Sequence, residues 1–214
     1  MTSFSVTTPP TSEPITLAQV KSHLRLTTST DDDYLTLLIE AARDAVEIET
    51  GRALITQTIT AYIDAPKARA GGIGGEWWDG VRDGPITMDQ QQFIELPRPK
   101  LLTVTSFKYF SLDNSENTFA STNYFVDGSS VPGRIVLNSG SSWPIATRDK
   151  NAYEIVYTAG YGPDPTDVPA LLRRAMLECV GEWYENRTSV GSDEVPSLPE
   201  DLITKVRKFS VGRL

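Results

Sequence analysis

The sequence predicts an α+β fold in which a helical bundle, with two N-terminal and two C-terminal helices, carries an inserted antiparallel β domain. Apolar residues recur at helical spacing in the first 55 residues and again after residue 166. Residues 56–162 instead hold short β-branched or aromatic runs separated by Gly, Pro, Asn and Ser. Strands and helices do not alternate, so a parallel sheet is not expected.

We expect a single domain with four parts along its 214 residues. Residues 1–14 are a flexible N-terminal segment, residues 15–55 and 167–206 are the helical part, residues 56–162 are the inserted β part, and residues 207–214 are a C-terminal tail. The polar start lacks the basic and apolar stretches of a secretory signal, and no apolar run reaches the roughly 18 to 20 residues of a membrane span.

The first predicted helix begins at a capping box. Thr16 and Gln19 have the spacing at which the Thr hydroxyl and the Gln side chain each bond a free backbone amide. Leu17, Val20 and Leu24 then mark one apolar face.

A longer helix is predicted to follow, with Asp31 as its N-cap and its end near Thr50. Asp32 and Asp33 lie in the first turn, where carboxylates interact favourably with the helix dipole. Gly51 then supplies the left-handed residue that ends many helices.

Six strands are predicted in the middle of the chain. They are Thr56–Ile63, Phe93–Leu96, Val104–Phe110, Tyr124–Val126, Arg134–Leu137 and Tyr153–Tyr157. Gly128–Gly133 and Asn138–Ser142 are interpreted as hairpin turns.

The loop over residues 67–89 is too long for a plain connector. A glycine run at 71–75 lacks the Gly-Lys-Ser/Thr of a phosphate loop, which favours a solvent-exposed segment. Trp77 and Trp78 either fold back onto the core or lie at an interface with a partner, and the sequence leaves both open.

Helical spacing returns after Asp167, the predicted N-cap, with Pro169 in the first turn. Leu172, Met176 and Cys179 line one face, and a last short helix is expected near 200–209.

The end of the chain is basic, although the net charge of the whole chain is −8. We expect a mobile tail whose bases and two apolar anchors dock on an acidic partner. These residues are Lys205, Arg207, Lys208, Phe209, Arg213 and Leu214. The acidic remainder argues against non-specific nucleic-acid binding but allows DNA to pass nearby.

No catalytic, metal-binding or cofactor-binding set is predicted. His23, the single histidine, has no nucleophile or carboxylate partner placed by spacing, and Cys179 lies on a buried helical stripe. Glu182 and Glu185 are three residues apart on one helix, which favours a solvated face over the carboxylate pair of a hydrolase.

Several blocks, in order over residues 14–187, resemble the head–tail connector (adaptor) family of long-tailed phages, which includes adaptors of gene transfer agents. The blocks are Pro14–Leu26, Asp31–Asp33, Leu38–Ala42, Glu49–Gln57, Leu96–Pro99, Val104–Tyr109, Tyr157–Gly162 and Val168–Pro169 with Trp183–Arg187. The long Gly/Trp loop departs from the family pattern.

The resemblance implies a structural subunit of a twelvefold homo-oligomeric ring in the neck of a virion or phage-like particle, assembled in the host cytoplasm. It implies a portal protein as partner, engaged by the C-terminal segment, and a downstream neck or tail protein, with DNA passing through. Asp31, Asp32 and Asp33 are candidates to face the channel. A head-closure or tail-completion protein is the nearest alternative.

From another class, a carbohydrate-binding β module would use Trp77, Trp78 and Tyr109 as stacking platforms, but it leaves the flanking helices without a role.

Overall fold

The computed structural model describes residues 2–65, 93–144, 147–186 and 198–211. Helices and antiparallel strand pairs both occur, which confirms the α+β class. The chain divides into two compact units. We call them the helical unit (residues 8–57, 98–100 and 159–214) and the β unit (residues 1–7, 58–97 and 101–158).

The helical unit contains α1 (Leu17–Leu24), α2 (Asp32–Thr50), α3 (Ala170–Glu185) and α4 (Glu200–Val206), and a 3₁₀ turn (Arg207–Phe209) follows α4. The two N-terminal helices form where the sequence predicts them. The Gln19 amide donates to Thr16 Oγ1 at 3.2 Å and the Thr16 amide to Gln19 Oε1 at 2.9 Å, which confirms the capping box. Gly51, at φ 67°, ends α2 in the left-handed region.

One of the two other predicted helix caps is wrong and one holds only in position. Asp31 is the N-cap residue of α2, as predicted, but its side chain makes no capping bond to α2; its Oδ2 accepts a hydrogen bond from the Tyr184 hydroxyl at 2.7 Å instead. Asp167 lies in a 3₁₀ turn (Pro165–Asp167), and Pro169 precedes α3 as its N-cap. In both places the carboxylate forms a hydrogen bond with a residue outside the helix that it was expected to cap. Residue spacing along one helix does not predict such a bond.

The core of the helical unit lies mainly between α2 and α3. Leu35, Ala42 and Val46 of α2 belong to one cluster with Leu172 and Met176 of α3, and each is at most 2% exposed. Burying an aliphatic side chain of this size contributes about 1.5–3 kcal/mol, so this seam supplies much of the stability of the unit.

The β unit is built on two sheets. The larger sheet has the order β1 (Thr2–Thr8), β2 (Gln57–Ile63), β8 (Tyr153–Ala159), β4 (Leu101–Phe110), β5 (Glu116–Thr118). The smaller sheet has the order β3 (Phe93–Glu95), β7 (Arg134–Leu137), β6 (Tyr124–Asp127), and β7 pairs antiparallel with both neighbours. All six predicted strands are present.

Three features of the strands differ from expectation. The N-terminal segment, expected to be flexible, forms the edge strand β1, and β5 has no counterpart among the predicted strands. The turn at Gly128–Gly133 joins the antiparallel pair β6 and β7 as predicted, but Asn138–Ser142 follows β7 towards β8, which lies in the other sheet. The second turn is therefore not a hairpin.

An aromatic cluster fills the interior of the β unit. Phe107, 1% exposed, has its ring centroid 5.1 Å from that of Phe119 and 5.8 Å from that of Tyr153. Tyr124 and Trp143 complete the cluster at 5.7 and 6.0 Å. Edge-to-face and tilted ring pairs add to the free energy of burying the apolar area.

Candidate functional site

A buried ion pair in the helical unit joins residues that are far apart in the sequence. Glu47 of α2, 4% exposed, accepts from Arg98 Nη1 at 2.6 Å. Its other oxygen accepts from the Leu54 amide at 2.8 Å and from Gln57 Nε2 at 3.0 Å. The carboxylate is thus held by one charged and two neutral donors, and such a buried charge is stable only when paired in this way.

Arg98 lies in one of the family-like blocks, Glu47 lies in none of them, and the sequence does not show that the two residues meet. Glu47 lies on the buried side of α2, among apolar neighbours, which is the signal that could have marked it. Arg98 has a left-handed backbone, with φ 56°, unusual for a residue with a Cβ. Arg52, which follows the glycine that ends α2, donates from Nε to the Phe209 carbonyl at 2.5 Å.

The three aspartates at the start of α2 lie in different environments. Asp31 accepts from Tyr184, and Asp32 pairs with Lys21 at 2.7 Å. Asp33 is exposed. Two of the three carboxylates therefore have partners within the chain, and Asp33 is the one fully open to solvent.

The basic C-terminal residues are also partly engaged within the chain. Lys205 Nζ lies 3.1 Å from Glu178 Oε2, and Arg207 Nε donates to Glu49 Oε1 at 2.7 Å. Lys208 is exposed, and Phe209 packs against the core of the helical unit.

The expectation of a mobile tail is wrong for its first part. Residues 207–209 form a 3₁₀ turn, and the Val211 amide donates to the Thr50 carbonyl at 3.0 Å. The Phe209 ring packs against the core of the helical unit, and this burial offsets the entropy that the turn loses when it becomes ordered. Arg213 and Leu214 lie outside the described residues, as do Trp77 and Trp78.

A charged turn closes the hairpin of β6 and β7. Asp127 Oδ2 accepts from Arg134 Nη2 at 2.7 Å and from Ser130 Oγ at 2.5 Å. These hydrogen bonds, the serine first and the arginine second, lower the pKa of Asp127 from 3.8 to about 2. The charged form of the side chain is therefore favoured in the folded state.

The lowered pKa predicts loss of stability in acid. A group whose pKa is lower when folded stabilises the fold above its unfolded value and loses that contribution as pH falls through the folded value. Asp127→Asn should therefore unfold at a lower urea concentration than the wild type at pH 7. This difference between the two urea midpoints should disappear between about pH 4 and pH 2. A difference in urea midpoint that stays constant over this pH range would contradict the lowered pKa of Asp127.

The remaining candidates for chemistry are inert or exposed. Cys179 is buried, as predicted, and desolvation raises the pKa of its thiol to about 12. His23, Glu182 and Glu185 are exposed. Within the described residues no group of three or more His, Cys, Asp or Glu could hold a metal ion, and no helix is long and apolar enough to cross a membrane.

The fold is similar to chains of gene transfer agent (GTA) particles. One, from the virion of a native GTA particle, has a TM-score of 0.70 and 19% identity over 99% of this chain and 96% of that chain. Another, from the neck of an empty GTA particle computed with C6 symmetry, has a TM-score of 0.70 and 20% identity over 99% of this chain and 97% of that chain. A third, from the neck of a native GTA particle computed with C12 symmetry, has a TM-score of 0.66 and 20% identity over 100% of this chain and 97% of that chain.

No curated protein sequence matches the chain. The sequence profile of a family described as phage gp6-like head-tail connector protein matches residues 14–122, which is more than half of the chain. The matched range contains the capping box of α1, the aspartates of α2 and both partners of the buried ion pair. The chain therefore belongs to the phage gp6-like head-tail connector family.

Proposed function

We propose that the chain is one subunit of a homo-oligomeric ring in the neck of a phage or phage-like particle. The ring joins the DNA-filled head to the tail and leaves a channel for DNA. The family match over residues 14–122 carries this proposal. One chain with the same fold comes from a neck computed with C12 symmetry, which supports a ring of twelve copies.

The role is structural, without turnover or a bound cofactor. The helical unit acts as a bundle into which the β part is inserted, and a downstream neck or tail protein binds on the side away from the portal. The family supports this role, since its members are connectors. Assembly takes place in the host cytoplasm.

Electron microscopy in negative stain tests the ring. The purified protein, mixed with the portal protein of the same particle, should add a ring of density beneath the portal. Portal particles that gain no density at saturating protein would overturn the connector role. Density at the tail end of a neck that already holds another connector would instead favour a head-closure or tail-completion protein.

The portal contact is assigned to the basic C-terminal residues. Lys205 and Arg207 form exposed ion pairs, with 45% and 67% of their side chains exposed, and such pairs are worth about 0–1 kcal/mol. They can therefore exchange partners at little cost when an acidic portal surface approaches. Lys208, Phe209, Arg213 and Leu214 complete the proposed contact.

Charge reversal at this surface should weaken portal binding. Arg207→Glu combined with Lys208→Glu should raise the Kd for the portal about tenfold or more, because two attractive contacts become repulsive. Pull-down titration on immobilised portal measures the change. The matched control is Lys150→Glu, because Lys150 is a base of the β unit with 71% of its side chain exposed. This variant should bind the portal normally. If the double variant binds the portal as tightly as the wild type, the portal contact lies in the β unit or the Trp77–Trp78 loop instead.

The start of α2 is proposed to face the channel, where its carboxylates repel DNA phosphates. Asp33 carries most of this effect, because Asp31 and Asp32 already have partners. Asp33→Lys should slow DNA ejection and lower the melting temperature by only about 2–6 °C, because it replaces a first-turn carboxylate that interacts favourably with the helix dipole. Ejection triggered in purified particles and followed with a DNA-binding dye measures the rate. An unchanged rate would place Asp33 away from the channel.

A further inference from the structure

One face of α2 exposes two large apolar side chains with two carboxylates between them. Leu37 is 60% exposed and Ile48 71% exposed, although both lie on a helix whose other side is buried in the core. Glu40 and Asp44 are exposed between them. Steps of three and four residues place all four on one face over about 16 Å of helix. We call this surface the α2 stripe.

A groove lies elsewhere in the helical unit, between α1 and α3. It is open to solvent and has a volume of about 470 Å³. Ile15, Ala18 and Leu177 give it apolar walls, and His23 and Arg173 add a basic rim. The Arg173 Nε donates to the Val168 carbonyl at 3.1 Å, which holds that side chain at the rim.

We propose that the α2 stripe of one copy docks in the α1–α3 groove of a second copy. The proposal rests on the ring function above and names the two surfaces that build the ring. The apolar side chains of Leu37 and Ile48 fit the apolar walls. The carboxylate of Glu40, and that of Asp44, which also lies 3.2 Å from Arg43 Nη2 of its own chain, meet the rim that carries the Arg173 guanidinium.

The charges around each surface favour this pairing over pairing of like surfaces. Two stripes placed together would bring the carboxylates of Glu40 and Asp44 against each other, and like charges in contact are unfavourable. Arg174, one residue beyond Arg173 and with 76% of its side chain exposed, pairs with Glu178 at 2.8 Å, and such an exposed pair can exchange partners at little cost. The stripe is therefore complementary to the groove and not to itself.

The two surfaces share no residue, so each copy can use both at once. A contact between different surfaces of identical subunits is heterologous, and it builds a ring when the rotation from one copy to the next closes on the first. A contact between like surfaces would stop at a dimer. The stripe and the groove thus have the relation that a ring of identical copies requires.

Cross-linking of introduced cysteines tests the contact in the whole 214-residue chain. The variant Ile48→Cys with Ala18→Cys places one thiol on the stripe and one in the groove, both at exposed positions. The native Cys179 is buried and does not compete for a short bis-maleimide. In portal-bound rings the double variant should give a ladder of multimers in a denaturing gel. The matched control, Leu112→Cys with Ala18→Cys, carries its first thiol on a 74% exposed residue of the β unit and should give none.

The outcomes separate this contact from the connector role. Portal-bound rings without a ladder would overturn the contact and leave the connector role intact. A ladder in free protein that never adds density to the portal would overturn the connector role and support the contact. Absence of both rings and ladder would overturn both. Covalent dimers from Ile48→Cys alone would show that stripes meet stripes, which contradicts the proposal.

Mixing two blocked variants gives an independent readout. Ile48→Glu blocks the stripe and Ala18→Glu blocks the groove, so each alone should lose every species larger than one chain. The mixture retains one intact stripe and one intact groove, and it should form a heterodimer and nothing larger. Native mass spectrometry resolves these species. Rings or homodimers formed by either variant alone would overturn the proposal.

Discussion

Replacing Glu47 with alanine should lower the free energy of unfolding by about 3–5 kcal/mol, the usual cost of breaking a buried ion pair by removing one partner. The change leaves the Arg98 guanidinium, with 17% of its side chain exposed, without its carboxylate. It also removes the acceptor of the Leu54 amide and of the Gln57 side chain. Urea unfolding followed by far-UV circular dichroism measures the loss.

The same helix supplies the control. Glu49 pairs with Arg207 at 2.7 Å, but its partner is 67% exposed, and Glu49→Ala should cost about 0–1 kcal/mol. Arg98→Ala in the Glu47→Ala background should cost less than Arg98→Ala alone, because the pair is already broken. Additive losses from the two single changes would show that Glu47 and Arg98 stabilise the fold independently.

Phe107→Ala should destabilise the β unit by about 3–5 kcal/mol. Phe107 is 1% exposed and contacts four aromatic rings, so alanine leaves a cavity that rigid neighbours fill poorly. Near-UV circular dichroism reports on Trp143 and the tyrosines of the cluster and follows unfolding of this unit in urea.

Phe125→Ala is the matched control, since Phe125 is 52% exposed on the edge strand β6. It should change the free energy of unfolding by no more than about 0.5 kcal/mol. Equal losses for the two phenylalanines would mean that the cluster around Phe107 packs loosely and contributes little specific stability.

Local signals in the sequence predicted the elements whose causes are local. The capping box of Thr16 and Gln19 involves residues three apart, and Gly51 ends α2 through its own backbone freedom. The six predicted strands follow from short runs of β-branched and aromatic residues. The resemblance to head–tail connectors, confirmed by the family match, rests on the order of such local blocks.

Features set by distant partners were not predictable in this way. Glu47 and Arg98 are 51 residues apart, and no spacing rule joins them. Asp31 has every local property of an N-cap, yet it bonds Tyr184, 153 residues later. The 207–209 turn was expected to be mobile because the core that receives Phe209 is built by other parts of the chain.

The helical unit is drawn from three separate stretches, residues 8–57, 98–100 and 159–214. Because α2 is translated well before α3, its apolar side has no partner while the intervening strands leave the ribosome. Contacts between such distant stretches form slowly, because the long chain between them must first be closed into a loop. The core of the helical unit therefore forms only after α3 has left the ribosome, and a chain interrupted within the β unit cannot form it.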